Sequence, residues 1–446
     1  MAAQPHARSP DLAPPDPVEL LRTLLRFDTS NPPGNERPCL EFIAELLRRA
    51  GLEPRFLARD PERPNLIARV RGRGEAPPLL LHGHVDVVPA QADEWRQPPF
   101  AAELVDEEVW GRGALDMKSG VAMLVTALLR TVTDRTPPAG DLVLALTSDE
   151  EAGSEFGAKF LVEAHADEFA GIRYAISEFG GSTMWIGGRS FYPIQVAEKQ
   201  ACTLRATIRG SGGHPSLAIG DTALGKLGRL LSLLERKRLP VHITPIVRAM
   251  LETMADGLPL LHRLALRPVL APPLTDRILT IFGTDGRALD PLLHNTATAT
   301  IVRGGESANV IPTEVVVELD GRVLPGQNPA DLVQELDALA PGLATYEIAR
   351  EEPAAPAAPD LTLFPLLAQI LHEREPTGKP FPLLVPGYTD ARHFARLGIQ
   401  TYGFLPLTLP REFPSILMHA PDERVPAEAV RFGTDCVSEA IRRYRT

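Results

Sequence analysis

The chain has 446 residues, 44% of them apolar and 23% charged, a balance that calls for a sizeable core and at least two domains. It excludes a small disulfide-stapled module and a solvated, disordered polymer. Acidic residues outnumber basic ones, 57 to 46, for a net charge of −11 with no long Lys/Arg run, so a nucleic-acid partner would lack its electrostatic footprint.

Residues 1–17, rich in Pro and Ala, lack the apolar core of a secretory signal and read as a disordered lead-in. No stretch reaches the roughly 18 to 20 apolar residues of a membrane span, so no membrane partner is expected. Cys39, Cys202 and Cys436 are widely spaced and form no CxxC pair, which points to a reducing, cytoplasmic setting. From Val18 to about Arg49, VELLRTLLRF and CLEFIAELLRRA show helical periodicity around a turn, TSNPPGNE. Strand-like runs follow at NLIARV, PPLLLHGHVDVV and DLVLALTS, with a helix-like GVAMLVTALLRTV between the last two. Alternating strands and helices predict an α/β sandwich.

After Trp185 the texture changes. ACTLRATIRG and TEVVVELDGRV alternate as half-exposed strands, DTALGKLGRLLSLLERKR and NPADLVQELDALA read as helices, and TYEIAREE closes the block as a strand. This pattern predicts an inserted α+β domain with one sheet face exposed. An apolar insertion at about 241–290 interrupts it, and EEPAAPAAPD, 351–360, reads as the linker back to the first domain. The expected bounds are 18–197 and 355–446 for the α/β domain and 198–354 for the insert.

Chemistry concentrates at strand ends. In LLLHGHVDVVP, alternate residues of an extended segment share a face, so His84 and Asp86 point together, the first able to ligate a metal and the second to orient it. In WGRGALDMKSG, Asp116 stands at the start of a helix, where it can cap or bridge two cations. LALTSDEEAGS ends a buried strand in Asp149, Glu150 and Glu151, whose mutual repulsion calls for solvent or a cation. There Glu151 reads as a ligand and Glu150 as a proton shuttle. Glu178 ends the strand in YAISEFGG, and His419 lies in SILMHAPDE. Each residue alone has a plain reading as a paired strand His, a helix cap or a solvated acid. Together, His84, Asp116, Glu151, Glu178 and His419 make a mixed nitrogen and oxygen set suited to zinc, with cobalt or manganese as substitutes.

The ordered set HGHVDVVP, GRGALDMKSG, TSDEEAGS, SEFGG and the late His419 resembles the co-catalytic dizinc amidohydrolases and peptidases that include carboxypeptidase G, aminoacylase, acetylornithine deacetylase and succinyl-diaminopimelate desuccinylase. TSNPPGNE is similar to the carboxypeptidase S branch. The resemblance implies an α/β/α catalytic domain of the zinc-peptidase type, with a ferredoxin-like insert serving as lid and dimerisation domain. It implies two Zn2+ per subunit: His84 and Glu178 on one, Glu151 and His419 on the other, and Asp116 bridging. Glu150 would be the general base, Asp86 would support His84, and the Asp116–Met117 peptide would be cis. RGSGGHPSLAIG is similar to the segment that presents a His, here His214, to the partner's active site in a homodimer. ANVIP with Asn309, LDGRVLPG with Arg322 and VPGYTDAR around Gly387 are similar to substrate-contacting segments, although Arg322 also reads as a plain strand ion pair. His82, His242, His262, His294 and His393 carry no such support and read as structural or surface residues.

The activity implied is amide hydrolysis of N-acyl amino acids or short peptides with a free C-terminal carboxylate. Glu178, where some relatives have Asp, favours that over an aminopeptidase or dipeptidase. A metal-free binding protein on the same fold would have lost ligands, and none is missing here.

Overall fold

The computed structural model describes residues 13–134, 137–217, 219–354, 356–414 and 417–446. Two compact units emerge. One takes the chain up to Val196 together with Asp360–Pro382 and Thr389–Thr446; the other takes Ala197–Pro359 with Leu383–Tyr388. Residues 1–12 of the expected lead-in lie outside the described residues, and the helix Pro17–Leu25 begins directly after Asp16, whose carboxylate caps it.

The first unit is built on a nine-stranded sheet. Its order runs Arg55–Leu57, Asn65–Val70, Leu142–Thr147, Leu79–His84, Tyr174–Ser177, Gln400–Gly403, Arg189–Glu198 and Lys379–Val385, with Met184–Ile186 paired beside Arg189–Glu198. The central strands Leu142–Thr147, Leu79–His84, Tyr174–Ser177 and Gln400–Gly403 are mutually parallel. The first three are buried at every residue, which is why they read as continuous apolar runs and not as alternating ones. Helix Lys118–Thr133 packs on one face with Ala427–Arg443 and Pro17–Leu25 around it. On the other face Leu80, Val143 and Ala175 share a core with Leu161 and Phe394 from the helices Ala158–Ala164 and Ala391–Ala395. The result is an α/β/α sandwich.

Pairing in register sets the site. His84 stands opposite Thr147, and Leu81 opposite Ile176, so the C-terminal ends of three parallel strands come out side by side. Everything that follows those ends lies at one edge of the sheet, where open α/β sheets bind ligands. Two glycines after Glu178 serve this close packing. A Cβ on Gly180 would stand 1.9 Å from the Gly403 carbonyl oxygen, and Gly181 has φ +91°.

The second unit runs strand Gln200–Arg209, helix Ala223–Arg236, strands Thr296–Arg303 and Glu314–Val323, helix Pro329–Leu339 and strand Thr345–Glu351. The four strands form an antiparallel sheet with the last beside the first and the second at the far edge, the ferredoxin-like topology. Cys202, Leu204, Ala206 and Ile208 point from one strand into the helix-covered core, and the residues between them face away. Glu351 still pairs with Cys202 and the Glu352 amide donates to the Ala201 carbonyl, so the connection expected from residue 351 begins later than its composition indicates.

The apolar insertion is helical. Helices Pro245–Gly257, Leu260–Leu266, Pro272–Ile281 and Thr284–Leu293 lie between Ala223–Arg236 and Thr296–Arg303. Buried Lys199 reaches their C-terminal end, its Nζ donating to the carbonyls of Pro291 and His294 at 3.0 and 2.9 Å. His294 is itself held between Asp290 and Asp276. Among the described residues no helix is long and apolar enough to cross a membrane, and the three cysteines are buried and unpaired.

Candidate metal centre

Two groups of donors meet at the sheet edge. His84, Asp116 and Glu178 form one and Asp116, Glu151 and His419 the other, with the donor atoms of each group within 4.8 Å of one another. Asp116 belongs to both and divides its oxygens between them. Its Oδ1 lies 3.0 Å from His84 Nε2 and its Oδ2 3.3 Å from His419 Nε2. Glu178 Oε2 is 3.4 Å from His84 Nε2, and Glu151 Oε1 is 3.2 Å from His419 Nε2.

His84, Asp116, Glu151 and His419 are held from behind. His84 Nδ1 lies 3.0 Å from the Asp86 carbonyl oxygen, which orients the ring so that Nε2 faces Asp116. Asp86 accepts the backbone N–H groups of Glu150 and Glu151, both at 3.1 Å, and an Asn31 side-chain N–H at 2.9 Å. The Asp116–Met117 peptide is cis. Glu423 accepts the N–H groups of Gly113, Leu115 and Asp116 and pairs with Arg112, which also donates to the His419 carbonyl. His419 has φ +61°, a left-handed conformation that this support maintains.

The acidic triplet splits up. Asp149, at φ +70°, turns away to accept from Asn31, Arg63 and the Phe156 amide, so it is an anchor of the loop. Glu151 goes to His419 and Glu150 stays nearby, half-buried.

Electrostatics show what the pocket demands. Burial disfavours charge on His84, yet Glu178 and Asp116 together raise it well above the ordinary imidazole range. The carboxylates of Asp116 and Glu151, both beside its ring, push His419 up to about 10. Burial, reinforced by Asp116, lifts Glu178 to about 7, and burial with the Glu178 charge raises Glu150 well above the usual carboxylate range. Excess negative charge is thus offset by protons on two imidazoles. Buried Glu151 Oε1 makes no hydrogen bond of good geometry despite its nearness to His419 Nε2. Oxygen and nitrogen that face one space without bonding each other suit a shared cation, and the nitrogen and carboxylate donors fit two divalent ions of the zinc type.

Residues 80–443 match Peptidase family M20/M25/M40. The chain belongs to that family. It is 27% identical over 364 residues to a probable carboxypeptidase S-like 2 of Dictyostelium discoideum, covering 78% of this chain and 68% of the relative. It is 26% identical over 367 residues to the N-fatty-acyl-amino acid synthase/hydrolase PM20D1 of Xenopus tropicalis, 79% and 70% of the two chains. The fold is that of an M20 family metallo-carboxypeptidase from Sulfolobus solfataricus, with a TM-score of 0.68 at 15% identity over 96% and 99% of the chains. An M20 chain of this kind is an enzyme, a metallo-carboxypeptidase or amidohydrolase.

The remaining candidates lie in the second unit. His214 is exposed, and the Ser216 amide donates to its Nδ1, which leaves the ring proton on Nε2. Asn309 accepts from Ser307. Arg322 pairs with Asp320 at 2.6 and 2.9 Å and lies 4.6 Å over the Tyr388 ring, beside Gly387. A Cβ on Gly387 would meet only Val385, at 3.7 Å, so the backbone there has no steric need of glycine. Of the other histidines, His82 is buried against Ser177 and Phe394, its pKa pushed down by burial to about 3, while His242 pairs with Glu335.

Several supporting residues escaped the sequence reading: Asn31, Arg112, Glu423, Asp390 and Arg392. TSNPPGNE, WGRGALD, APDE and YTDAR contain them, but nothing in those segments reveals partners more than 50 residues away.

Proposed function

We propose that this chain hydrolyses the amide bond of N-acyl amino acids or short peptides that keep a free C-terminal carboxylate. The observation that supports this best is the bridging position of Asp116 between two donor groups. In this reading His84 and Glu178 hold one Zn2+, Glu151 and His419 the other, and Asp116 both, with cobalt or manganese as substitutes. Two such cations, when bound, would supply Lewis acidity able to polarise a carbonyl and to make a water acidic near neutral pH. Glu150 takes a proton from the attacking water and delivers it to the departing amine, a task that its upward pKa shift suits. Asp86 orients His84. His214 of a second subunit donates Nε2–H to the developing oxyanion, so the active form is a homodimer. Arg322, Asn309 and the loop at Gly387 receive the substrate's carboxylate end. The unpaired cysteines favour a cytoplasmic location.

The test pairs N-acyl amino acids with their amidated analogues, using purified Zn2+-loaded protein. Hydrolysis of the acids but not the amides is expected, and equal rates on both would remove the carboxylate requirement. Glu150→Ala should abolish turnover with about two metals per chain retained; activity at the wild-type level in that variant would reject the assigned base. A requirement for a free amine would select an aminopeptidase or dipeptidase instead.

A further inference from the structure

The segment that carries Glu150 and Glu151 is short and awkward. Between Ser148 and Ser154 the chain has left-handed residues at Asp149 (φ +70°), Gly153 (φ +109°) and Ser154 (φ +64°). Such a backbone persists only when its surroundings determine it. On the side of the donors Asp86 does so, through the amides of Glu150 and Glu151. Asp390 and Arg392 occupy the other side.

Asp390 stands at the N-cap of helix Ala391–Ala395, where an Asp normally accepts amides of its own first turn. It accepts none there. Its carboxylate, 2% exposed, instead accepts Thr147 Oγ1 at 2.9 Å and Ser154 Oγ at 2.5 Å. These two residues flank the loop, one at the end of its entering strand and one at its exit. One buried carboxylate therefore fixes both ends of the segment. The Ser154 hydroxyl, donating to Asp390, also accepts from Arg392 Nη2 at 3.3 Å. Arg392, likewise buried, donates from Nη1 to the Thr389 carbonyl and brings that nitrogen to 3.9 Å from Glu150 Oε1. Burying two charged groups is costly unless their bonds compensate it. Apart from the Thr389 carbonyl, the partners named here for these two side chains lie on the loop or at its ends.

We infer that Asp390 and Arg392 are positioning residues: through Thr147 and Ser154 they set the loop, and through the guanidinium they set the direction in which the Glu150 carboxylate points. The inference rests on the proposed role of Glu150 as the base, and the experiment separates the two. Thr147→Val, Asp390→Asn and Arg392→Gln are prepared with Thr147→Ser as the conservative control. Crystal structures of the zinc-loaded proteins are compared with wild type, and metal content, kcat and KM are measured with an N-acyl amino acid. In the first three variants the Glu150 carboxylate should be displaced while His84, Asp116 and Glu178 keep their places and about two metals stay bound. For these variants kcat should fall by about tenfold to a hundredfold with KM within about twofold of wild type. Thr147→Ser, which keeps the hydroxyl, should restore both. Thr147→Val combined with Asp390→Asn should cost no more than Asp390→Asn alone, because both cut one linkage. A Glu150 carboxylate that stays in its wild-type position in these variants, or a loss confined to thermal stability with kcat unchanged, would overturn the inference. Should wild type hydrolyse none of the substrates, the functional reading fails while the crystallographic comparison still decides the positioning role.

Discussion

Asp116 concentrates the chemistry of the site at one residue. Its two oxygens face two imidazoles, and the backbone N–H that leads into it is fixed by Glu423. Replacing one carboxylate oxygen by an amide removes a negative charge and turns one acceptor into a donor, which faces a cation unfavourably. Asp116→Asn should therefore weaken metal binding by more than the roughly 10–100-fold that loss of a supporting hydrogen bond costs. Titration of the apo variant with Zn2+ measures this, and wild-type affinity would show that Asp116 is no ligand. The role was visible in sequence only as part of an ordered set, since an isolated Asp before a helix is an ordinary cap. Glu423→Gln tests the support behind it: its three backbone donors should lose strength together, lowering metal affinity by about tenfold in the same titration with the fold retained.

At the scale of elements, the parallel strands were legible because burial on both faces makes them continuous apolar runs, and the motifs sit at their ends. SEFGG also carries a packing requirement. Gly180→Ala would drive a Cβ into the Gly403 carbonyl and should destabilise the protein by about 3 kcal/mol, read from urea unfolding. The helices at 245–293 were not legible, because prolines at 259, 268, 272, 273 and 291 break their apolar period into short pieces. Lys199, which ties these helices down, has its own consequence. Burial, with the Arg322 guanidinium nearby, pushes its ammonium down to about 7. Between that value and the ordinary 10.5 the unfolded chain binds the proton and the folded one does not, so stability rises with pH across this window. Relative to Lys199→Met, wild type should gain stability with a slope approaching about 1.4 kcal/mol per pH unit between about pH 8 and 10. Parallel curves for the two proteins would reject the shifted lysine.

Over the whole molecule, a site assembled from segments as far apart as His84 and His419 couples metal to folding. The family and the α/β/α architecture could be read from five motifs in order. Their supports could not, because Asp390 bonds to Thr147 and Ser154 across 243 and 236 residues, and Glu423 to Asp116 across 307. Without cations the pocket's carboxylates face one another and are offset by protonated imidazoles. A chelator should thus lower the melting temperature by several degrees, and added Zn2+ should restore it. The most direct test of the central claim is anomalous diffraction at the zinc edge from crystals grown with Zn2+. Two peaks are predicted, one within about 2.0–2.2 Å of His84, Asp116 and Glu178 and the other equally near Asp116, Glu151 and His419; a single peak, or none bridged by Asp116, would contradict the account.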